Sequence, residues 1–583
     1  MENNDLKKIR HSCAHLFAAA IKQIYPEAKL AIGPAIEDGF YYDVDYGDKK
    51  LGEEDFPRIE QKMHEIVKKW NGFERREVPY EEAKEFYRDN PYKLELIEEF
   101  HSKGEKLSFY KSGDFEDLCE GNHADNPLKD LKHFKLLSVA GAYWRGSEKN
   151  KMLTRVYGTV FPTKEELETY LKMMEEAKKR DHRKLGKDLD LFAFSDLIGK
   201  GLPMWTGKGA TIKRVLERFI VDEELARGYE HVSTPPIAKV DLYRTSGHYP
   251  YYKETMYPPM VVDEEELILR PMTCPHHFAL FKTKPRSYHE MPVRFAEISP
   301  QFRYEKSGEL TGLIRVRTFI LTDAHIITPK DKAKDEILKV LDLIDFVNQK
   351  LGLKAGIDYR YRLSLGDRNE SKKYYKDDRM WDYAEGVLRE VLKNQKVPYY
   401  EAANEAAFYG PKIDVQMKNV NGKEDTAFTV QYDFVMPKRF ELRFINKEGK
   451  EEEPVVIHRA SLGALERTIA FLIEHYGGAF PLWLAPVQIS VLPLSDKFHD
   501  YAYRIKDELV KNRIRVEVNA DSKTLGAKIR ETTLQKIPYM IIIGEKEVQE
   551  NVISIRTREG RDLGKMALSE FTNKLKSQIE NFS

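Results

Sequence analysis

Residues 315–325 read RVRTFILTDAH, and the stretch shortly before them, residues 301–310, reads QFRYEKSGEL. The first has the β-branched and aromatic content of a strand. A side-chain period of two would put Arg315, Arg317, Phe319, Leu321, Asp323 and His325 on one face. The second reads as its hairpin partner, with Arg303 and Glu305 sharing a face across the turn KSGE. Two arginines, an aspartate and a histidine are costly on a buried face unless they meet ligands. Arginines at both ends with an aromatic between them suit a triphosphate and a stacked base. A surface hairpin laced with ion pairs accounts for the same residues equally well. The stretch therefore points to an antiparallel sheet and leaves its use open.

Composition narrows the classes. The 583 residues include 95 Lys+Arg against 95 Asp+Glu, a formal charge of +0, with 41% hydrophobic residues. At roughly 100–200 residues per domain the chain holds several domains. The charge balance excludes a protein held to nucleic acid by overall charge, so any such partner must meet a local patch or a shaped site. Cys13, Cys119 and Cys274 are too few for a disulfide framework and fit a reducing compartment. The opening MENNDLKKIR lacks the apolar core of a secretion signal, and no apolar run approaches ~18 residues. A cytoplasmic protein with no membrane partner is expected.

Three divisions show along the chain, with no internal repeat and no low-complexity tract. Residues 1–160 mix short strands (IGPAI, GFYYDVD, HFKLLSVAGAYW) with charged helices, an α+β domain. Thr163 followed by Glu166 is a capping-box signal for a helix with Leu167, Leu171 and Met174 on one face. That helix runs into AKKRDHRKLGKDLDLF, a charged linker, which makes residues 161–194 the boundary segment. Residues 195–482 begin with a helix (TIKRVLERFIVDEELARG) and a strand (HVSTPPI) that Pro235 and Pro236 confine to an edge or an element start. Several long strands of antiparallel character follow. In residues 483–583 strands (VQISVLPL, IRVEVNA, PYMIIIG) alternate with helices, an α/β unit with mostly parallel pairing.

Two groups of residues have the chemistry of metal ligands. Cys274, His325 and His458 lie far apart in sequence, and a lone cysteine is as well explained as a small buried hydrophobe. His11 and His15 stand at i and i+4 on a helix, with Cys119 and His123 in DLCEGNH. Ligand type alone would make these four a zinc site. Solvent-facing histidines and an inert cysteine are the plainer reading.

FRYEKSGELTGLIRVRTF resembles motif 2 of the class II aminoacyl-tRNA synthetases, SLGALERTIAFLIEHY resembles motif 3, and HVSTPPI, with Pro235, resembles motif 1. With RPMTCP, LTDAH, FYGPKID and VIHRA in the family's order, the similarity is specifically to threonyl-tRNA synthetases and extends over essentially the whole chain. It implies a class II catalytic core with an antiparallel sheet in residues 195–482. The activity implied is activation of L-threonine with ATP and Mg2+, then transfer to tRNA(Thr). Arg303 would hold the α-phosphate, Arg315 and Arg467 the remaining phosphates, Glu305 the adenine amino group, and Phe319 would stack on the base. Fixed guanidinium groups suit charge developing on phosphate, and the substrate carboxylate is itself the nucleophile, so no general base is needed.

The resemblance also implies one Zn2+ per chain on Cys274, His325 and His458, with Asp323, Tyr409, Lys412, Thr429 and Gln431 around the threonine. One thiolate and two imidazoles leave an open coordination position. A site that must be satisfied by a hydroxyl rejects an analogue lacking it by ~10⁴-fold or more, which separates threonine from valine. Serine keeps the hydroxyl and lacks only a methyl, a difference of roughly 10–200-fold, so a second sieve is expected. HSCAH, IGPAIEDGFYYD, NPYKLE, DLCEGNH and AYWRGSEKNKML resemble the editing domain that hydrolyses Ser-tRNA(Thr). His11, His15, Lys93, Asp117, Cys119 and His123 are its matching positions, where the family orients water and sugar hydroxyls and no zinc is expected. The last hundred residues resemble an anticodon-binding domain, with Glu547 and Arg556 matching base-reading positions. A homodimer through motif 1 is implied, and the chain is expected to lack the ubiquitin-like domain that begins fuller members.

Some positions depart from the family. Leu321 stands where glutamine is usual and Phe428 where glycine is typical, and both are expected beside the amino-acid pocket. Thr273 and His276 replace asparagine and glycine, and Ser522 an anticodon-reading asparagine. Two other readings stay in view: a non-catalytic synthetase-like RNA-binding regulator, and an editing-only deacylase. Retention of Arg303, Arg315, Arg467 and the three metal positions speaks against both.

Overall fold

The computed structural model describes residues 3–370 and 372–582. The chain divides into two units, one ending at Met174 and the other beginning at Glu175.

In the first unit the helix Asn3–Ile24 buries Cys13, Leu16, Phe17 and Ala20. These residues join an apolar core with Phe40, Tyr42 and Val156 from an antiparallel sheet that includes Gly39–Asp45, Met152–Phe161 and His133–Tyr143. A second sheet pairs Glu74–Glu77, Ser108–Ser112 and Phe115–Leu118. Of IGPAI only Ala35–Ile36 is a strand; a proline, which cannot donate to a ladder, precedes the pair. The capping box forms: Thr163 N donates to Glu166 Oε2 at 3.1 Å and Glu166 N to Thr163 Oγ1 at 3.2 Å. It opens the helix Lys164–Arg180, inside which the boundary between the units falls.

The second unit is built on an eight-stranded sheet in the order Glu230–His231, Val293–Phe302, Thr318–Thr328, Val455–Ala464, Glu424–Asp433, Lys412–Lys418, Tyr359–Ser364, Tyr399–Ala402. All pairings are antiparallel except those of the two edge strands. The pleat sorts the side chains. Ala324, Ile326, Phe428, Val430 and Ile457 enter one core with Ile337, Leu341 and Ile344 of the helix Ala333–Lys350 and Leu388 of the helix Asp378–Lys393. Their alternates face the other side, where the site lies. Phe428 is therefore fully buried on the helix-covered face and not beside the amino-acid pocket, a correction to the expectation from sequence.

The strand expected over 315–325 begins only at Thr318, and its partner ends at Phe302. Arg303, Glu305, Arg315 and Arg317 thus sit in the connecting loop and not on a sheet face. Two contacts take the backbone out of the ladder: Arg317 N donates to Gly201 O at 2.8 Å, and Arg315 pairs with Thr311. Pro235 and Pro236 separate the edge strand Glu230–His231 from Ile237–Lys239, which belongs to a small three-stranded sheet.

At the C-terminal end a sheet runs Val516–Val518, Ile489–Pro493, Tyr539–Ile543, Ile553–Thr557, Asp562–Met566. Its first two pairings are parallel and its last two antiparallel, so it is mixed and not mostly parallel. The connection from Ile543 to Ile553 is shorter than the dozen or more residues a parallel crossover needs. Among the described residues no helix is long and apolar enough to cross a membrane.

Candidate active site

Strand register assembles the site. His325 pairs with His458, His458 with Gln431, and Gln431 with Lys412, one lateral row across four strands. The neighbouring row runs Asp323, Ala460, Thr429, Asp414. Residues separated by more than a hundred positions become neighbours because cross-strand pairs lie ≈ 4.5–5.5 Å apart. A cavity of about 550 Å³ opens over these rows, lined by Asp323, His325, His458, Thr429, Gln431, Tyr409 and Cys274. Its other end is lined by Arg303, Glu305, Arg315, Phe319 and Arg467. Lys412 does not line it; its Nζ lies 2.9 Å from both carboxylate oxygens of Asp414. Leu321 does line it.

The arginine-rich end is held by its own backbone. Arg467 donates from Nε to Ile314 O at 3.3 Å and from Nη1 to Thr426 O at 3.1 Å. Glu305 accepts from Arg315 Nε at 2.7 Å, and the Arg303 guanidinium lies 5.0 Å over the Phe319 ring. Desolvation and the neighbouring Arg467 lower the Arg303 pKa, a mark of cations gathered with too few anions. Such a cluster is completed by an anionic ligand.

At the other end Cys274, His325 and His458 are buried, with potential ligand atoms within 4.8 Å of one another. His458 Nε2 lies 2.7 Å from Asp433 Oδ2, and His325 Nδ1 lies 2.8 Å from His277 Nδ1. With those nitrogens engaged, Nδ1 of His458, Nε2 of His325 and the Cys274 sulfur are the ligand atoms left to offer. Outer partners that fix the rings in this way are the usual support of metal-ligating histidines. Burial keeps His325 neutral, the form that ligates, and pushes the Cys274 thiol up, so a cation is what would hold it as thiolate. The donor set fits zinc. Burial also raises the Asp323 carboxyl, which lies 3.5 Å from Gln301 Nε2.

The sequence reading passed over Gln301, His277, His248 and Asp433. Gln301 and Asp433 were findable, standing two positions from Arg303 and Gln431 in alternating strands. His248 reaches the cavity from the helix His248–Tyr251, with Nδ1 2.7 Å from Ser246 Oγ, and burial lowers it to about 3. His277 and His248 carry no signal in spacing.

In the first unit His11, His15, Cys119 and His123 converge, also within 4.8 Å. Three of the four are linked, His11 Nε2 to Cys119 Sγ at 3.0 Å and Cys119 Sγ to His123 Nε2 at 3.4 Å, while His15 Nδ1 has no hydrogen-bond partner. His123 Nδ1 meets Ser12 Oγ at 3.2 Å. Burial lowers His11 and His15 and brings His123 down to about 3, while it pushes the Cys119 thiol up to about 12. The Lys93 Nζ sits 2.6 Å from Asp117 Oδ1, and Tyr42 and Tyr87 donate to the same carboxylate at 2.9 and 2.7 Å. Asn90 caps the helix Pro91–Ser102 that carries Lys93.

Glu547 and Arg556 lie in the C-terminal sheet region. Glu547 accepts from Gly544 N at 2.9 Å and from Ser554 Oγ at 2.8 Å, and Arg556 stands opposite Met540 and Asp562.

Comparison with known proteins adds the rest. Residues 258–476 match the tRNA synthetase class II core domain (G, H, P, S and T), residues 488–578 the anticodon binding domain, and residues 107–157 the threonyl and alanyl tRNA synthetase second additional domain. "Threonine--tRNA ligase" of Geobacillus sp. (strain WCH70) is 50% identical over 574 residues, covering 98% of this chain and 88% of that protein. "Threonine--tRNA ligase 1" of Bacillus subtilis (strain 168) is 49% identical over 572 residues, with the same coverage of 98% and 88%.

The chain belongs to the threonine--tRNA ligase family.

Solved threonyl-tRNA synthetase structures agree in fold. The RNA binding domain of the Cryptosporidium parvum Iowa II enzyme superposes with a TM-score of 0.64 at 36% identity, over 68% of this chain and 98% of that one. Putative threonyl-tRNA synthetase ThrRS-1 from Aeropyrum pernix gives 0.62 at 31% identity, over 69% and 97%. As a threonyl-tRNA synthetase family member, the chain has a multidomain α+β fold with a class II core, an editing-type domain and an anticodon-binding domain.

Proposed function

We propose that this chain is a threonine--tRNA ligase that forms threonyl-adenylate from L-threonine and ATP–Mg2+, transfers the threonyl group to tRNA(Thr), and hydrolyses Ser-tRNA(Thr). The lateral row from His325 through His458 to Gln431, opening onto the same cavity as Arg303, Arg315 and Arg467, is the observation that carries this reading. This reading takes the row as the site for a small hydroxylated amino acid and the arginine-lined end as the site for a triphosphate. The threonine carboxylate attacks the α-phosphorus, the bond to the bridging oxygen breaks, and pyrophosphate leaves. Arg303 meets the α-phosphate, and Arg315 and Arg467 the other phosphates, so fixed positive charge offsets the charge that develops. Glu305 serves the adenine amino group, and Phe319 stacks on adenine once the Arg303 guanidinium turns to phosphate.

Cys274, His325 and His458 hold one Zn2+, which when bound supplies a Lewis-acid position for the amino and hydroxyl groups of threonine. Asp323 accepts from the hydroxyl, and Tyr409, Thr429 and Gln431 wall the pocket. Lys412 acts through its pairing with Asp414. In the editing unit, residues 1–160, His11, His15, Lys93, Asp117, Cys119 and His123 together orient water and the sugar hydroxyls. This reading assigns no zinc to that site: Cys119 Sγ meets His11 Nε2 and His123 Nε2, and the resemblance gives these positions to water and sugar hydroxyls. Residues 161–194 link it to the catalytic domain, 195–482, and Glu547 and Arg556 in 483–583 read the anticodon. The reading includes a homodimer through the segment around Pro235 and a cytoplasmic location, which three unpaired cysteines support.

The test is ATP–pyrophosphate exchange with threonine, serine and valine. Strong exchange with threonine, weak with serine and almost none with valine is expected. No exchange with deacylation of Ser-tRNA(Thr) would leave an editing hydrolase, and neither activity would leave an RNA-binding regulator.

A further inference from the structure

The charged stretch AKKRDHRKLGKDLDLF contains a buried histidine that the reading above does not use. His182 opens the helix His182–Asp188 and is almost wholly enclosed. Its Nδ1 lies 2.7 Å from Glu474 Oε1, and the main-chain N–H of Leu313 points to its Nε2 at 3.1 Å. A backbone N–H can only donate, so Nε2 carries the lone pair and Nδ1 carries the proton that Glu474 accepts. With both ring nitrogens engaged, the group Asp181, His182 and Glu474 has no imidazole lone pair for a metal.

Glu474 sits on the helix Leu465–Tyr476, which also bears Arg467. Arg467 reaches Ile314 O directly. Adjacent main-chain groups of the loop are thus tied to a single helix, one by Arg467 and the other through His182. Gly312, with φ +48°, stands just before: a Cβ there would lie 2.1 Å from His182 Nε2, so a side chain would push the loop off the imidazole. Leu313, Ile314 and Arg315 all line the cavity.

We propose that His182 is a positioning residue for ATP: its Nε2 fixes Leu313 N–H so that the loop between residues 303 and 317 presents Arg303 and Arg315 to the phosphates. This rests on the cavity being the ATP site. His182 lies behind the loop, so its removal changes where the arginines stand and not which groups meet substrate. Leaving the Leu313 N–H unpaired in a buried place corresponds to about a 10-fold loss.

The experiment compares His182→Gln, His182→Asn and His182→Ala in the full chain. A glutamine carbonyl reaches the Nε2 position and can accept from Leu313; an asparagine amide reaches only the Nδ1 position and keeps the contact to Glu474. In threonine-dependent pyrophosphate exchange, Asn and Ala should raise KM for ATP about 10-fold while KM for threonine stays within about 2-fold, with Gln restoring most of the loss. Gly312→Ala, which leaves the imidazole intact, should give the same ATP-specific defect. Amide hydrogen exchange over residues 311–316 without substrates should be faster in Asn and Ala than in wild type and Gln. Equal behaviour of Gln and Asn in both measurements, or a matched rise in both KM values, overturns the tether. Wild-type chain that exchanges no amino acid, with hydrogen exchange still separating Gln from Asn, overturns the ligase reading and leaves the tether standing.

Discussion

His325 and His458 stand directly opposite each other on adjacent antiparallel strands, with ring centroids 4.6 Å apart and planes at 85°. Each ring has one nitrogen fixed from behind, by His277 and by Asp433. Asp433→Ala should therefore weaken zinc retention by roughly 10–100-fold without changing the ligands themselves. Competition against a chromogenic chelator measures it. Unchanged retention would show that the carboxylate does not orient the ring.

Selectivity should depend on Asp323. With Asp323→Asn the preference for threonine over valine should fall well below the ~10⁴-fold expected of a hydroxyl-satisfied site, because an acceptor becomes partly a donor. The preference over serine, which rests on one methyl, should move little. Pyrophosphate exchange with the three amino acids separates the two effects.

Arg303→Lys should lower kcat/KM for ATP by roughly 10²–10³-fold, since an ammonium loses the planar fork that meets phosphate. Threonine binding in the absence of ATP, read by calorimetry, should be unchanged. An equal loss of threonine affinity would mean that the residue supports the pocket and not the phosphates.

The editing unit should be acid-labile. Burial lowers His11 and His15 and takes His123 to about 3 from an ordinary 6.5. Between those values the unfolded chain binds more protons than the folded one, so stability is full above about pH 6.5 and declines as pH falls toward 3. Corrected for the pH dependence of intrinsic amide exchange, hydrogen exchange over residues 10–20 and 115–124 should quicken between pH 7 and pH 5 more than over residues 539–557, which hold no histidine. Equal acceleration in both regions would remove the histidine cluster as the cause.

Zinc should be lost from one place only. Purified chain should hold about one zinc, and Cys119→Ala should keep it while losing Ser-tRNA(Thr) hydrolysis; Cys274→Ala should lose it along with threonine activation. Two zincs per chain, one of them absent in Cys119→Ala, would make the editing cluster a metal site.

The alternation in RVRTFILTDAH already put Phe319, Leu321, Asp323 and His325 on one face, the face that lines the cavity, because a strand's period of two is a property of the backbone alone. The capping box at Thr163 and Glu166 was equally local and formed as read. What could not be read was which residue of one strand meets which residue of another. The pairing of His325 with His458 and of His458 with Gln431 depends on a shared register that no single segment encodes. Loop closure likewise lay outside the sequence: the strand stops at Thr318 because Arg317 is bonded to Gly201, far back along the chain. Phe428 follows the period of two, opposite to Thr429 and Gln431, but His182, embedded among lysines and arginines in a segment that looked like solvent-facing linker, was enclosed by groups at 313 and 474. Composition and period follow from each residue's own chemistry and its near neighbours; burial and partnership are fixed only when distant segments pack.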